Sequence, residues 1–112
     1  VIAWIGGYFK SKQLGTVDNK NPRAQALQLQ GAGARAMAAQ ANAWEALPMF
    51  TAAVVVAHLA GVPPEEAAPY AIVFVVSRVL HAAFYLADLD KARSASFLVG
   101  IVCLVTLFVK AA

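Results

Sequence analysis

Polar side chains with chemistry to offer sit inside otherwise apolar stretches of this chain. Arg35, Asn42 and Glu45 fall in one such stretch, and Arg78, His81 and Tyr85 in the next. Arg93, Ser94 and Ser96 open the last. Three or four residues are about one helical turn and seven about two, so each of the first two sets shares one helix face. The free amide N–H groups at the start of a helix favour an anion, which places Arg93 and Ser94 where negative charge is welcome. Ionisable groups in a membrane-spanning helix are costly and mark a functional site by default. Each has a packing role open to it as well: Glu45 and Arg78 as an interhelical ion pair, Asn42 as hydrogen-bond glue between helices, His81 as a satisfied core residue, Tyr85 as an interfacial anchor, Arg93 as a cytoplasmic charge. His58 and His81 are far apart in sequence and lack a nearby carboxylate pair, so no metal site is expected. Cys103 lies in an apolar run where a thiolate is disfavoured, and no Ser-His-acid or Cys-His order suggests itself.

The segments that must hold these groups are set by composition. Of 112 residues, 61% are hydrophobic and 13% charged, against roughly 45–50% and about 25% in soluble domains. Mean hydropathy is +0.64. The nine basic residues behind a net charge of +3 surround apolar blocks rather than forming a stripe, which argues against nucleic acid as a partner. A single cysteine excludes a disulfide framework. We expect one all-α integral membrane domain over residues 1–112, a four-helix bundle with helices near 1–12, 24–60, 65–87 and 93–110. Residues 1–9 are apolar but too short to span a bilayer. They read as the end of a first helix that begins upstream; a signal peptide would want a charged leader and a small-residue cleavage site. Lys10, Lys12, Lys20 and Arg23 in the first connection, and Lys91 and Arg93 in the third, put those loops on the cytoplasmic side; the Pro63–Glu66 turn has no basic residue. With that orientation the polar residues of three segments converge on the cytoplasmic half of the membrane.

The stretch RAMAAQANAWEALPMF, through Arg35, Asn42, Glu45 and Pro48, resembles the MAPEG family, the membrane-associated proteins in eicosanoid and glutathione metabolism. SRVLHAAFYL is similar to the family's R-x-x-H-x-x-x-Y pattern through Arg78, His81 and Tyr85, and Ala92-Arg93-Ser94 to its Arg-Ser opening of the fourth helix. The loop LGTVDNKNPR looks like that of bacterial members. The resemblance implies a homotrimer in a bacterial inner membrane, with glutathione between neighbouring subunits near the cytoplasmic side. It implies that Arg35, Asn42, Glu45, Arg78, His81 and Tyr85 hold glutathione, and that Arg93 and Ser94 stand by its thiol, favouring the thiolate for attack on a hydrophobic substrate in the bilayer. The alternative it leaves is a non-catalytic accessory subunit of a larger membrane complex. Better-known glutathione-using members carry arginines where this chain has Ala38 and Ala41, often histidine at Gln40, and tyrosine at Phe97. Each cation lost from a carboxylate is worth about 1.5–3 kcal/mol.

Overall fold

A computed structural model describes residues 2–112, apart from the side chain of Ala3. Val1, part of the expected first helix, lies outside the described residues. A 3-10 turn, Ile2–Trp4, leads into α1 (Ile5–Leu14), followed by α2 (Pro22–Ala26), α3 (Ala32–Leu59), α4 (Pro64–Leu86) and α5 (Asp90–Ala111). The fold is all-helical, as expected. Two boundaries differ. The helix expected over 93–110 begins a turn earlier, at Asp90, so the Arg93 N–H is bonded to Leu89 O at 2.9 Å and is not free for an anion as expected. The helix expected over 24–60 is two helices, α2 and α3, broken at residues 27–31. Gly31 takes φ +52°, a left-handed conformation that no continuing right-handed helix contains and that glycine adopts at little cost.

The connection between α1 and α3 is folded rather than loose. Asp18 Oδ1 accepts the backbone N–H groups of Lys20 and Asn21, at 2.8 and 3.1 Å. Gln25 is buried and ties the strap together: its Nε2 donates to Thr16 O at 2.8 Å, and its Oε1 accepts Asp18 N–H at 2.9 Å. Lys10, also buried, donates from Nζ to Pro22 O at 2.7 Å. Gln25→Leu removes two hydrogen bonds, each worth about 0.5–1.5 kcal/mol, whose backbone ends at the exposed Thr16 and half-buried Asp18 stay within reach of water. The expected result is faster amide exchange and proteolysis within residues 15–27 while α4 and α5 stay protected; equal protection in the variant would show that the strap is held by something else.

The long helices pack along seams with alternating spacings of three and four. On α3 the seam is Ala36, Ala39, Ala43, Ala46, Phe50, Ala53 and Ala57, buried except for the half-buried Ala43 and Phe50. On α4 it is Tyr70, Phe74, Ser77 and His81, and on α5 Ser96, Gly100, Cys103 and Leu107. This 3.5-residue repeat is that of helices crossing at a shallow left-handed angle. Small residues on α3 and α5 let the backbones approach closely, as helices in lipid require. Phe50 and Phe74 stack across the α3–α4 contact, ring centroids 4.5 Å apart. α4 and α5 form the closest pair, α3 packs on both, and α1 packs chiefly on α3. The result is flat, 49 × 31 × 16 Å between Cα extremes.

Away from the seams the helices stay apolar. Val73, Val76, Val79, Val102, Val105 and Val109 are all exposed. α4 and α5 are long and apolar enough to cross a bilayer, and only 22% and 28% of their apolar windows are buried within the subunit. So large an exposed apolar surface needs another medium or partner to cover it. Among the described residues these two helices alone meet that measure. α3 is longer, at 28 residues, but Arg35, Gln40, Asn42, Glu45 and His58 lower its hydropathy.

Candidate functional site

Three helices bring their polar groups together at one level. Arg78 of α4, half-buried, donates from Nη2 to Asn42 Oδ1 of α3 and lies 3.1 Å from His81 Nδ1, one turn further along its own helix. His81 is a seam residue, 4% exposed, and this burial fixes its ring against α5. Its neighbours are Tyr85, edge-to-face at 5.7 Å, and Phe97 of α5 at 6.0 Å. The Arg78 guanidinium also stands over the Phe97 ring at 5.8 Å, and the Arg93 guanidinium over the Tyr85 ring at 4.4 Å. Guanidinium–ring contacts of this kind contribute about 0.5–2 kcal/mol each. Asn42, Arg78, His81, Tyr85 and Arg93 thus form one connected cluster, joined by Phe97.

The electrostatic balance of the cluster is lopsided. Among the described residues no carboxylate lies within ion-pairing distance of Arg78 or Arg93; the ion pair formed is Lys110–Glu66, at 3.2 Å near the other end of α4 and α5. The Glu45–Arg78 pair considered from sequence is therefore not made within the subunit, because Asn42 takes the guanidinium instead. Arg78 Nε is buried and has no hydrogen-bond partner among the described residues. Glu45 is exposed at the edge of the cluster, where it lines a cavity of about 120 Å³ together with Asn42, Arg78 and Phe97. Two guanidiniums with unspent donors beside an amide, an imidazole and a phenol make a receptor for a small anionic molecule that also carries hydrogen-bonding groups.

Two sequence-predicted residues stand elsewhere. Arg35 donates from Nε to Leu86 O at 3.3 Å, closing the C-terminal end of α4, where the helix dipole favours a cation. Ser94 is exposed just past the first turn of α5 and makes no hydrogen bond among the described residues. The hydroxyl tied to that turn is Ser96, buried and donating to Arg93 O at 2.8 Å.

Two contributors were not read from sequence. Phe97 appeared there only as a departure from tyrosine, and its contact with the Arg78 guanidinium crosses from α5 to α4, which no spacing within α5 could signal. Gln40 accepts the backbone N–H of Gly6 at 2.8 Å and so fixes α1 on α3; nothing in the local pattern pointed to that long-range contact.

No curated protein and no solved structure matches the chain. The MAPEG family model matches residues 1–112, the whole sequence. Together with the two membrane-length helices and their apolar exterior, that match makes this a membrane protein of the kind associated with glutathione and eicosanoid metabolism: the chain belongs to the MAPEG family.

Proposed function

We propose that the chain is a glutathione-dependent transferase or peroxidase acting on hydrophobic electrophiles or lipid peroxides, working as a homotrimer that crosses a bacterial inner membrane several times. The observation that carries this reading is the Asn42–Arg78–His81–Tyr85–Arg93 cluster, in which, among the described residues, no carboxylate pairs with the guanidiniums and Arg78 Nε has no partner. A buried cation that lacks an internal counter-ion is costly unless an anionic ligand supplies one.

The donor set fits glutathione, which brings two carboxylates, an ammonium, two amides and a thiol. Arg78 and Asn42 suit a carboxylate and a backbone amide, and Glu45, exposed at the edge, suits the ammonium. His81 and Tyr85 offer further hydrogen bonds. When bound, glutathione supplies a sulfur nucleophile for an electrophilic carbon or a peroxide oxygen. Arg93, held over the Tyr85 ring, favours the thiolate over the thiol through its charge, and Ser94 lies beside it at the start of α5 to donate a hydrogen bond to sulfur. Hydrophobic substrates reach the cluster from the lipid, since the flanking faces of α4 and α5 are apolar and exposed.

The test is glutathione binding by calorimetry in detergent, with the ultraviolet absorbance of the bound thiolate. Saturable binding and a thiolate signal that falls about tenfold or more in Arg93→Ala are expected, in line with about 1.5–3 kcal/mol for a charged hydrogen bond. No binding at millimolar glutathione, with the protein recovered in a larger membrane complex, would overturn the enzyme reading in favour of an accessory subunit.

A further inference from the structure

One contact of the cluster, Arg93 on Tyr85, spans the corner that joins α4 to α5. Only residues 87–89 separate the two helices. Tyr85 lies in the last turn before this connection, and Arg93 is near the start of α5 after it. The Arg93 guanidinium nevertheless stands over the Tyr85 ring at 4.4 Å, so the geometry of that contact is the geometry of the corner.

A helix leaves its last four carbonyls without intrahelical partners. In α4 these belong to Ala83, Phe84, Tyr85 and Leu86. The corner's own amides take three of them. Ala87 N–H donates to Ala83 O at 3.0 Å, Asp88 N–H to Tyr85 O at 3.2 Å and Leu89 N–H to Phe84 O at 2.9 Å. This is a Schellman closure, which needs a left-handed residue just past the helix. Asp88 supplies it with φ +60°, and aspartate is among the side chains that tolerate that region. The fourth carbonyl, Leu86 O, is taken from outside the corner: Arg35 Nε of α3 donates to it at 3.3 Å. Beyond the corner, Arg93 N–H donates to Leu89 O at 2.9 Å and Ser96 Oγ to Arg93 O at 2.8 Å, which ties Arg93 to the corner through its own backbone.

The half-buried Arg35 guanidinium thus stands at the negative end of the α4 dipole. Without it the Leu86 carbonyl would tilt out toward water and open the last turn. Leu86 follows Tyr85 directly, so an opened turn takes the phenol ring from beneath Arg93. We propose that Arg35 is a positioning residue: by closing α4 at Leu86 it holds the corner so that Arg93 stays over Tyr85, facing the sulfur of bound glutathione. The inference rests on the glutathione reading for what Arg93 does there, but not for where Arg93 is held. It gives Arg35 a task other than the ligand contact implied by resemblance. Arg35 sets how far the bound thiol ionises, not how tightly glutathione binds.

The test has two arms, both on the full chain in detergent. In the first, without glutathione, phenylglyoxal labels the guanidiniums and mass spectrometry reads Arg93 and Arg78 separately. Arg93 should react about fivefold faster in Arg35→Met, the scale of one lost guanidinium–ring contact, with Arg78 unchanged. Arg35→Lys keeps a cationic donor within a bond of Nε and should react like wild type. Asp88→Val strains the same corner, since a β-branched residue is an outlier at φ +60°, and should reproduce the faster Arg93 rate; Asp88→Gly should not. In the second arm, Arg35→Met should lower the thiolate absorbance at saturating glutathione about fivefold and leave the dissociation constant unchanged.

An unchanged Arg93 rate in Arg35→Met would overturn the proposal, and so would equal acceleration of Arg93 and Arg78, which is general loosening. An unchanged Arg93 rate in Asp88→Val would overturn it even if Arg35→Met did not fold. A weaker dissociation constant with full thiolate signal at saturation would also overturn it, by returning Arg35 to holding the ligand. If wild type binds no glutathione, the glutathione reading fails, and the labelling arm alone still decides whether Arg35 holds Arg93.

Discussion

Arg78→Met should leave the ligand-free protein folded, with unchanged or higher thermal stability, while weakening glutathione binding by a factor of about 10–100, as for losing a charged hydrogen bond worth about 1.5–3 kcal/mol. The stability half follows from the missing counter-ion. Arg78 keeps a guanidinium partly buried in an apolar helix with Asn42 and His81 as its partners, and its Nε makes no hydrogen bond among the described residues. Replacing such a charge with an apolar side chain of similar length is often neutral or stabilising. Against this stands the stranded Asn42 amide, about 1–3 kcal/mol if it finds no other partner; Asn42 is only half-buried, so water or a neighbouring chain can reach it. The binding half follows from geometry, because Arg78 is the residue that joins α3 to α4 at the cluster. Arg78→Lys should recover little, since an ammonium cannot reproduce the planar fork that addresses two partners at once. Thermal unfolding in detergent and calorimetry on the same samples check both halves. A variant that melts well below wild type yet binds glutathione normally would make Arg78 a packing device and remove it from the site.

That prediction rests on a contact only partly legible in the sequence. The spacing of Arg78, His81 and Tyr85 placed all three on one face of α4, and the structure does cluster them with Asn42 and Arg93. Helical periodicity is a local property and survives into the fold. It could not say which partner Arg78 takes, because Asn42 and Glu45 are one turn apart and either could face it; the relative height of α3 and α4 decides, and that is fixed by seam residues such as Phe50 and Phe74. Arg35 shows the same limit from the other side. It shares a helix face with Asn42, but two turns nearer the loop, where it meets the open carbonyl end of α4 instead of the cluster. The break between α2 and α3 was written in Gly31, yet the apolar and alanine-rich pattern on either side outweighed a single glycine. Ala36, Ala39, Ala46, Ala53 and Ala57 were visible as composition, and their three-four spacing makes them the surface on which the other helices pack.

Gly100→Leu should be the most damaging single substitution at the α4–α5 contact. A Cβ at residue 100 would lie 2.9 Å from Ser77 Oγ and 3.6 Å from the Phe74 ring. Neither neighbour has an easy retreat. The Ser77 hydroxyl is buried and donates to Phe74 O at 2.7 Å, and the Phe74 ring is stacked on Phe50. One methyl asks Ser77 to give up its rotamer. Leucine adds three further carbons that have no space until α5 moves away from α4. Overpacking of this kind costs about 1–3 kcal/mol, and here the displacement is transmitted along a rigid helix. Phe97 lies one turn from Gly100 and Arg93 about two, so the contacts of both with α4 loosen as α5 shifts, and glutathione binding should fall together with thermal stability. Gly100→Ala should show a smaller loss, and Ser77→Gly should recover much of it by removing the hydroxyl the new methyl meets, a coupling expected only of residues in direct contact. If Gly100→Leu melts and binds like wild type, α4 and α5 do not meet at Ser77, and the seam that carries His81 to Phe97 is wrongly placed.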